Sequence, residues 1–199
     1  MKRMTIFWIV LGLFAIFTVV RSIGTYNELV ALDQQVDGQW AQVQSAYQRR
    51  ADLIPNLVET VKAAAAHERE TLTAVTEARA RVGQMTVSSD MLDDPDALAR
   101  FEAAQGQLSS ALSRLMAVSE RYPELRANEN FLALQSQLEG TENRIAVERM
   151  RFNDAARDFH TRRQSFPTVF IANMFGDQFD KKAYFQAAAG AEQAPEVKF

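Results

Sequence analysis

DPDALARFEAAQGQLSSALSRLMAVSERYP (Asp94–Pro123) carries the most regular hydrophobic pattern in the chain. Leu98, Phe101, Gln105, Leu108, Leu112, Leu115, Ser119 and Tyr122 follow one another at alternating spacings of three and four. That spacing aligns them on one face of an α-helix and makes a coiled-coil-like seam for a neighbouring helix. Asp94-Pro95 supplies an N-cap followed by proline at the first helical position, and Tyr122-Pro123 ends the run. Gln105 and Ser119, polar residues at seam spacing, are expected at the edges of the stripe, in water.

The same periodicity extends on both sides. Leu29, Leu32, Val36, Trp40, Val43 and Tyr47 mark a first helix, interrupted at Arg50-Ala51-Asp52-Leu53-Ile54-Pro55. Proline disfavours helical geometry at Ile54 and fits only a first turn, and Asp52 is suited to an N-cap, so the chain is expected to reverse here. Leu57, Val61, Leu72, Val75 and Val82 then mark a second helix, with small residues from Ala63 to Ala66, and a polar loop follows from Gly83 to Asp94. A fourth helix from Asn128 carries Phe131, Leu134, Leu138, Ile145, Phe152 and Phe159 and closes at Phe166-Pro167. Val169–Phe175 reads as a short apolar turn, packed on the bundle end or on a membrane surface. From Gly176 onward, and most clearly over Gln186–Glu196, the composition is that of a frayed tail.

Ahead of this pattern lies MTIFWIVLGLFAIFTVV (Met4–Val20), uncharged and flanked by Lys2-Arg3 and Arg21. Seventeen helical residues span about 25 Å, a little short of a hydrocarbon core of about 30 Å, and Ser22 and Ile23 complete the crossing if Arg21 snorkels. Met4, Ile6, Phe7, Trp8, Leu11, Phe14, Phe17 and Val20 are therefore the membrane-anchor residues. A cleaved signal peptide is the competing reading. The run is long for one, and the only small-x-small exit, Ser22-Ile23-Gly24, directly follows a charge. The fold expected is thus all-α: an N-terminal transmembrane helix and a long antiparallel four-helix bundle. Its parts are residues 1–24 (flank and span), 25–166 (bundle), 167–185 (short apolar segment) and 186–199 (tail). The bias of Lys2 and Arg3 over Arg21 places the N-terminus in the cytoplasm and the bundle outside it.

Composition narrows the function. The chain has no cysteine, which excludes disulfides, thiolate metal sites and a thiol nucleophile. Of 22 basic residues, setting aside Lys2, Arg3 and Arg21 leaves 19 against 25 acidic ones, a balance of −6 beyond the span. Neither nucleic acid nor electrostatic attachment to an anionic lipid surface is accordingly expected of the domain beyond the span. Neither histidine lies in a Glu-x-x-His pair of the kind that builds a di-iron site in a bundle, and HERET (His67–Thr71) lacks the second histidine of a zincin. No P-loop or nucleophile elbow is present. No catalytic residue, cofactor or metal is expected. Arg144, Arg149, Arg151, Arg157, Arg162 and Arg163 alternate with Glu142, Glu148, Asp154 and Asp158, the pattern of a salt-bridged, solvated face. Glu142 and Arg149, near seam spacing, are either edge residues or a buried polar pair.

YNELVALDQQVDGQWAQVQ (Tyr26–Gln44), QRRADLIPNLVETVK (Gln48–Lys62), AHERETLTAVTEARA (Ala66–Ala80) and SERYPELRANENFLALQSQLEGTENRIAVER (Ser119–Arg149) together resemble the LemA family. The resemblance implies a bacterial inner-membrane protein with one N-terminal span, an antiparallel helical domain and no established enzymatic activity. It also implies a tie to membrane organisation, through a magnetosome-membrane member, and to envelope proteins such as HtpX-type proteases and TPM-domain proteins. Family descriptions place the domain in the cytoplasm, opposite to the side given by the charge count. Ala63–Ala66 departs from a glycine-aromatic pair, and Phe152 and Phe159 stand where tyrosine is usual, so those hydroxyls are not needed. The functional expectation is a membrane-tethered scaffold or adaptor for an envelope protein, with homo-oligomeric assembly or service as a protease regulatory subunit as alternatives. Arg49, Arg50, Asp52, Pro55 and Asn56 form the most distinctive cluster and are read as either a helix corner or a partner-binding tip.

Overall fold

The computed structural model describes residues 2–186, and every regular element in that range is helical. The first helix, α1, runs without a break from Lys2 to Ala64. At about 1.5 Å per residue it is roughly 95 Å long. Its N-terminal third is apolar all round, with Met4, Ile6, Phe7, Trp8, Leu11, Phe14, Phe17 and Val20 all exposed. Its most apolar window has a mean hydropathy of 2.3 and none of it is buried inside the protein. Such a surface is stable in lipid because a helix satisfies its own backbone. The hydroxyls of Thr18 and Ser22 also turn inward, donating to the carbonyls of Phe14 and Thr18 at 2.9 Å each.

From Leu29 onward one face of α1 enters the bundle, through Leu29, Val36, Trp40, Val43, Tyr47, Ile54, Leu57 and Val61. The expected reversal at Arg50–Pro55 does not occur. Pro55 sits inside α1, and Asp52, rather than capping a new helix, accepts a hydrogen bond from Gln48 at 2.8 Å. Proline within a helix orphans the carbonyl four residues back. Here that group, the Ala51 carbonyl, accepts from Arg79 Nε at 3.1 Å. Because the orphan is satisfied from a neighbouring helix, the chain has no need to turn. It turns at Ala65–Glu68 instead, so Leu57 and Val61 belong to α1.

Helix α2 (Arg69–Gly83) packs on the far end of α1 and along α3 (Pro95–Ser119), whose N-cap Asp94 accepts from the amides of Asp96 and Ala97. The connection between them is not simply polar. A 3₁₀ turn at Ser89–Asp93 buries Met91 and Leu92, and Trp40 and Gln44 of α1 donate to the carbonyls of Ser88 and Val87 at 3.2 and 2.7 Å. After a single turn, α4 (Pro123–Arg126), α5 (Glu129–Gln164) runs back beside α1 toward the membrane. Helices α1, α2, α3 and α5 are the four rods of the bundle.

Two apolar cores result. The membrane-proximal one gathers Leu29 to Tyr47 with Phe101, Ile145, Phe152 and Phe159, and the distal one gathers Ile54 to Val61 with Leu72, Val75, Leu108 to Val118, Phe131 and Leu138. Past α5, helix α6 (Thr168–Met174) and a 3₁₀ turn at Gly176–Phe179 cross the membrane-facing end. Gly176 has a φ of 56°, a conformation that L side chains rarely adopt. The chain then runs without regular secondary structure to Gln186, yet, against the expectation of a frayed tail from Gly176, it is packed in place: Phe179 and Phe185 are both core residues. The expected tail over 187–199 lies outside the described residues.

Candidate functional site

Between the two cores each of three seams is interrupted at one level: by Arg50 between Tyr47 and Ile54, by Gln105 between Phe101 and Leu108, and by Glu142 between Leu138 and Ile145. These residues meet. The Arg50 guanidinium, only 2% exposed, donates to Glu142 Oε1 at 2.8 Å, to Ser109 Oγ at 2.9 Å and to Gln105 Oε1. Tyr47 lies beneath it, with the guanidinium carbon 5.1 Å from the ring centre. A buried charge is tolerable only when it is paired and hydrogen-bonded. Arg50 meets that condition with its terminal nitrogens, while Nε has no partner among the described residues. Gln105, expected at a solvated edge, is buried because it is needed here.

Glu142 and Arg149 do not pair with each other. Seven residues apart on α5, they face different partners: Glu142 takes Arg50, and Arg149 takes Glu102 of α3. Burial raises the Glu102 carboxyl above its ordinary range, and the Arg149 charge works in the opposite direction. Arg149 also lies 4.5 Å over the Phe185 ring and donates to the Gln186 carbonyl at 3.1 Å. The expected salt-bridged face of α5 is present in part. Glu148, itself buried, accepts from Arg151 at 3.2 Å and lies 3.7 Å from Arg144, whereas Arg162 reaches across to Glu28 of α1.

The segment beyond Asp180 is held through its backbone, as a bound peptide would be. The Asn153 side chain makes two bonds to the Phe185 backbone, donating to its carbonyl at 2.9 Å and accepting from its amide at 3.0 Å. The Ala183 amide donates to the Leu92 carbonyl at 2.7 Å. Phe185 drops among Trp40 and Phe152, with ring centres 5.8 and 5.4 Å away. Lys182 Nζ is 3.0 Å from Asp93 and 3.5 Å from Asp33. Burial alone would lower the Lys182 pKa, but the hydrogen bond to Asp93 and the charges of Asp33 and Asp93 outweigh it and leave it raised; Asp33 is itself raised, chiefly by burial. His160 completes the clasp. Its Nε2 accepts from the Lys182 amide at 2.9 Å, and its Nδ1 lies 2.7 Å from the Tyr184 hydroxyl. Accepting at Nε2 requires a neutral ring. Burial first, then the charges of Lys181, Arg163 and Lys182, lower its pKa below the ordinary 6.5.

The cluster singled out in the sequence is divided by the helix. Arg50 points into the bundle, whereas Arg49, Asp52, Pro55 and Asn56 are exposed along the outer stripe of α1, on a helix shaft rather than at a tip. Beside them is an open groove of about 560 Å³, lined by Tyr47, Gln48, Arg79, Phe101 and Gln105. Among the described residues no group of three or more His, Asp or Glu side chains is placed to hold a metal ion. His67 is exposed at the far turn. The buried arginine and the C-terminal clasp are what sequence reasoning missed. A signal for the first existed: Val43, Tyr47, Arg50, Ile54, Leu57 and Val61 keep an unbroken alternation of four and three.

A lipid-facing span continuous with an antiparallel bundle, with Arg50, Arg149 and Arg162 each paired across helices, defines a single-span, membrane-anchored helical-bundle protein. The LemA family profile matches residues 39–199, most of the chain, and the chain belongs to the LemA family. It is similar to two magnetosome proteins of Paramagnetospirillum magneticum, MamQ 1 and MamQ 2, each 26% identical over 192 residues, covering 86% of this chain and 70% of theirs. It is similar also to magnetosome protein MamQ of Magnetospirillum gryphiswaldense, 26% identical over 176 residues, covering 80% of this chain and 64% of that one.

Two predictions follow from this geometry. Glu142→Ala strands the Arg50 charge and lowers unfolding free energy by about 2–3 kcal/mol, a figure discounted for the 39% exposure of Glu142. The double change Arg50→Met with Gln105→Leu replaces the layer by apolar packing and costs less than Glu142→Ala, measured by denaturant unfolding of the full chain in micelles. The second concerns pH. A histidine whose folded pKa is depressed contributes stability that is fully present above its unfolded value, near 6.5, and is lost as pH falls toward the folded value. Amides 182–185 should therefore lose hydrogen-exchange protection, after correction for intrinsic rates, as pH drops below about 6.5. His160→Gln should remove that dependence.

Proposed function

We propose that this chain is a non-enzymatic, membrane-anchored scaffold or adaptor of the bacterial envelope that acts through protein–protein interaction. The observation that carries this reading is the continuity of α1: span and bundle share one helix, so the exposed stripe Arg49, Asp52, Pro55 and Asn56 stands at a fixed height above the lipid. Counting from Gly24, that height is about 40–50 Å. A rigid post presents a surface to a partner with little loss of freedom on binding. The pairing of Arg50 with Glu142 and of Arg149 with Glu102 supports a structural rather than reactive use of those charges. In this proposal the anchor lies in the inner membrane with the bundle on its outer side, following the charges at Lys2 and Arg3. The similarity to magnetosome proteins favours a second reading, in which copies assemble with one another and organise the membrane that holds them.

Site-specific photocrosslinking in intact cells, paired with protease protection, tests both. Crosslinkers at Arg49, Asp52 and Asn56 should yield a discrete adduct that is absent from the exposed Met150 on α5. Adducts of equal yield at all positions, or none at any, would contradict an adaptor stripe. A product with the mass of two copies would favour the second reading.

A further inference from the structure

Outside the span, large exposed apolar side chains gather at one place. Phe166, Phe170, Met174 and Phe175 are 81, 65, 75 and 45% exposed. Phe170 and Met174, four apart in α6, share one side of that helix, and the Phe166 ring joins them from the preceding turn, its centre 5.9 Å from that of Phe170; Thr168 and Ala172, both fully buried, hold the opposite side of α6 to the bundle. The Phe175 ring meets Tyr26 of α1 with centres 4.6 Å apart, and Tyr26 also contacts Phe179 at 5.6 Å. A cluster of this kind at one spot marks an interaction site rather than scattered surface residues.

Its height along α1 identifies the occupant. Helices α1 and α5 are antiparallel, with Arg50 against Glu142, Trp40 against Phe152 and Glu28 against Arg162. Continued by one turn, that register brings Phe166 level with about Gly24. The apolar run from Met4 to Val20 is about 5 Å short of the hydrocarbon thickness, and a full crossing of about 30 Å ends near Gly24. The exposed rings therefore sit at the lipid–water boundary of the bilayer that α1 crosses, where aromatic side chains are favoured. Exposed Arg21, about a turn and a half below Tyr26 and stacked 5.5 Å over Phe17, marks the same boundary.

We propose that α6 is a second membrane contact: Phe166, Phe170 and Met174 insert into the interfacial layer of the same bilayer, so that the bundle is docked on the membrane as well as tethered to it. The partner is the lipid surface itself, and the shallow insertion is that of a short interfacial helix. A bundle held at two points keeps one tilt and one rotational setting, which fixes the direction in which its outer faces are presented.

The chain contains no cysteine, so single spin labels can be placed without background. Phe166→Cys, Phe170→Cys, Met174→Cys and the control Leu132→Cys, 48% exposed at the far end, would be labelled in full-length protein in nanodiscs of phosphatidylethanolamine with a minority of phosphatidylglycerol. Relaxation enhancement by oxygen, which partitions into lipid, would be compared with that by a water-soluble nickel chelate. The oxygen-to-nickel ratio at the three α6 positions should exceed that at position 132 several-fold, with helix content unchanged. Ratios equal to the control would overturn the proposal. Exclusion of both reagents with dipolar broadening between labels would also overturn it, by showing a second copy on the patch.

Discussion

The structure depends on one helix passing from lipid into water and on to the far end of the bundle without a break. A helix crossing that boundary must satisfy its backbone by itself on the lipid side, and nothing on the aqueous side releases it from the same geometry. Pro55 is the one residue positioned to end it. What keeps α1 whole is a contact from another helix: the Ala51 carbonyl, deprived of its usual amide, is met by Arg79 of α2. Because α1 continues, the reversal is postponed to Ala65, α2 becomes a short helix of 15 residues, and α3 and α5 must be longer to close the bundle around the extended rod.

Long parallel seams leave helices free to slide, since one turn of apolar residues resembles the next. The layer of Arg50, Gln105, Ser109 and Glu142 removes that freedom: a shift by one turn would bury Arg50 against apolar side chains, with its charge unpaired. The layer adds little net stability, but it defines one alignment of α1, α3 and α5. The C-terminal segment works differently. It closes the proximal core with the Phe185 ring and is fastened through backbone groups by Asn153, Leu92 and His160.

How much of this was visible in the sequence varies by element. The span, the Asp94-Pro95 start of α3 and the start of α5 near Asn128 were legible because each is written in local terms, as an apolar run or a cap. The Pro55 break was misjudged because the compensating donor lies 28 residues away, beyond any local rule. Arg50 falls within the cluster read as a helix corner or partner-binding tip, although its spacing from Tyr47 and Ile54 puts it on the seam. The partner choices of Glu142 and Arg149 depend on which helix each faces, and a single helix does not contain that information. The clasp of Lys182, Tyr184 and Phe185 leaves no mark in the sequence, because a segment bound through another element's side chains has no periodicity of its own.

Membership in the LemA family and similarity to magnetosome proteins agree with a protein whose work is done at a membrane. The form of the molecule, a post fixed in lipid with an ordered bundle wrapped around it, suits presentation and organisation. That account stands on the continuity of α1 through Pro55. The most direct test is the distance between spin labels at Gln35→Cys and Lys62→Cys, both exposed, measured by pulsed dipolar spectroscopy on the full chain in a bilayer. Twenty-seven residues of unbroken helix predict a distance of about 40 Å, whereas a hairpin reversing at Asp52–Pro55 would bring the labels to about 15–20 Å and contradict the account.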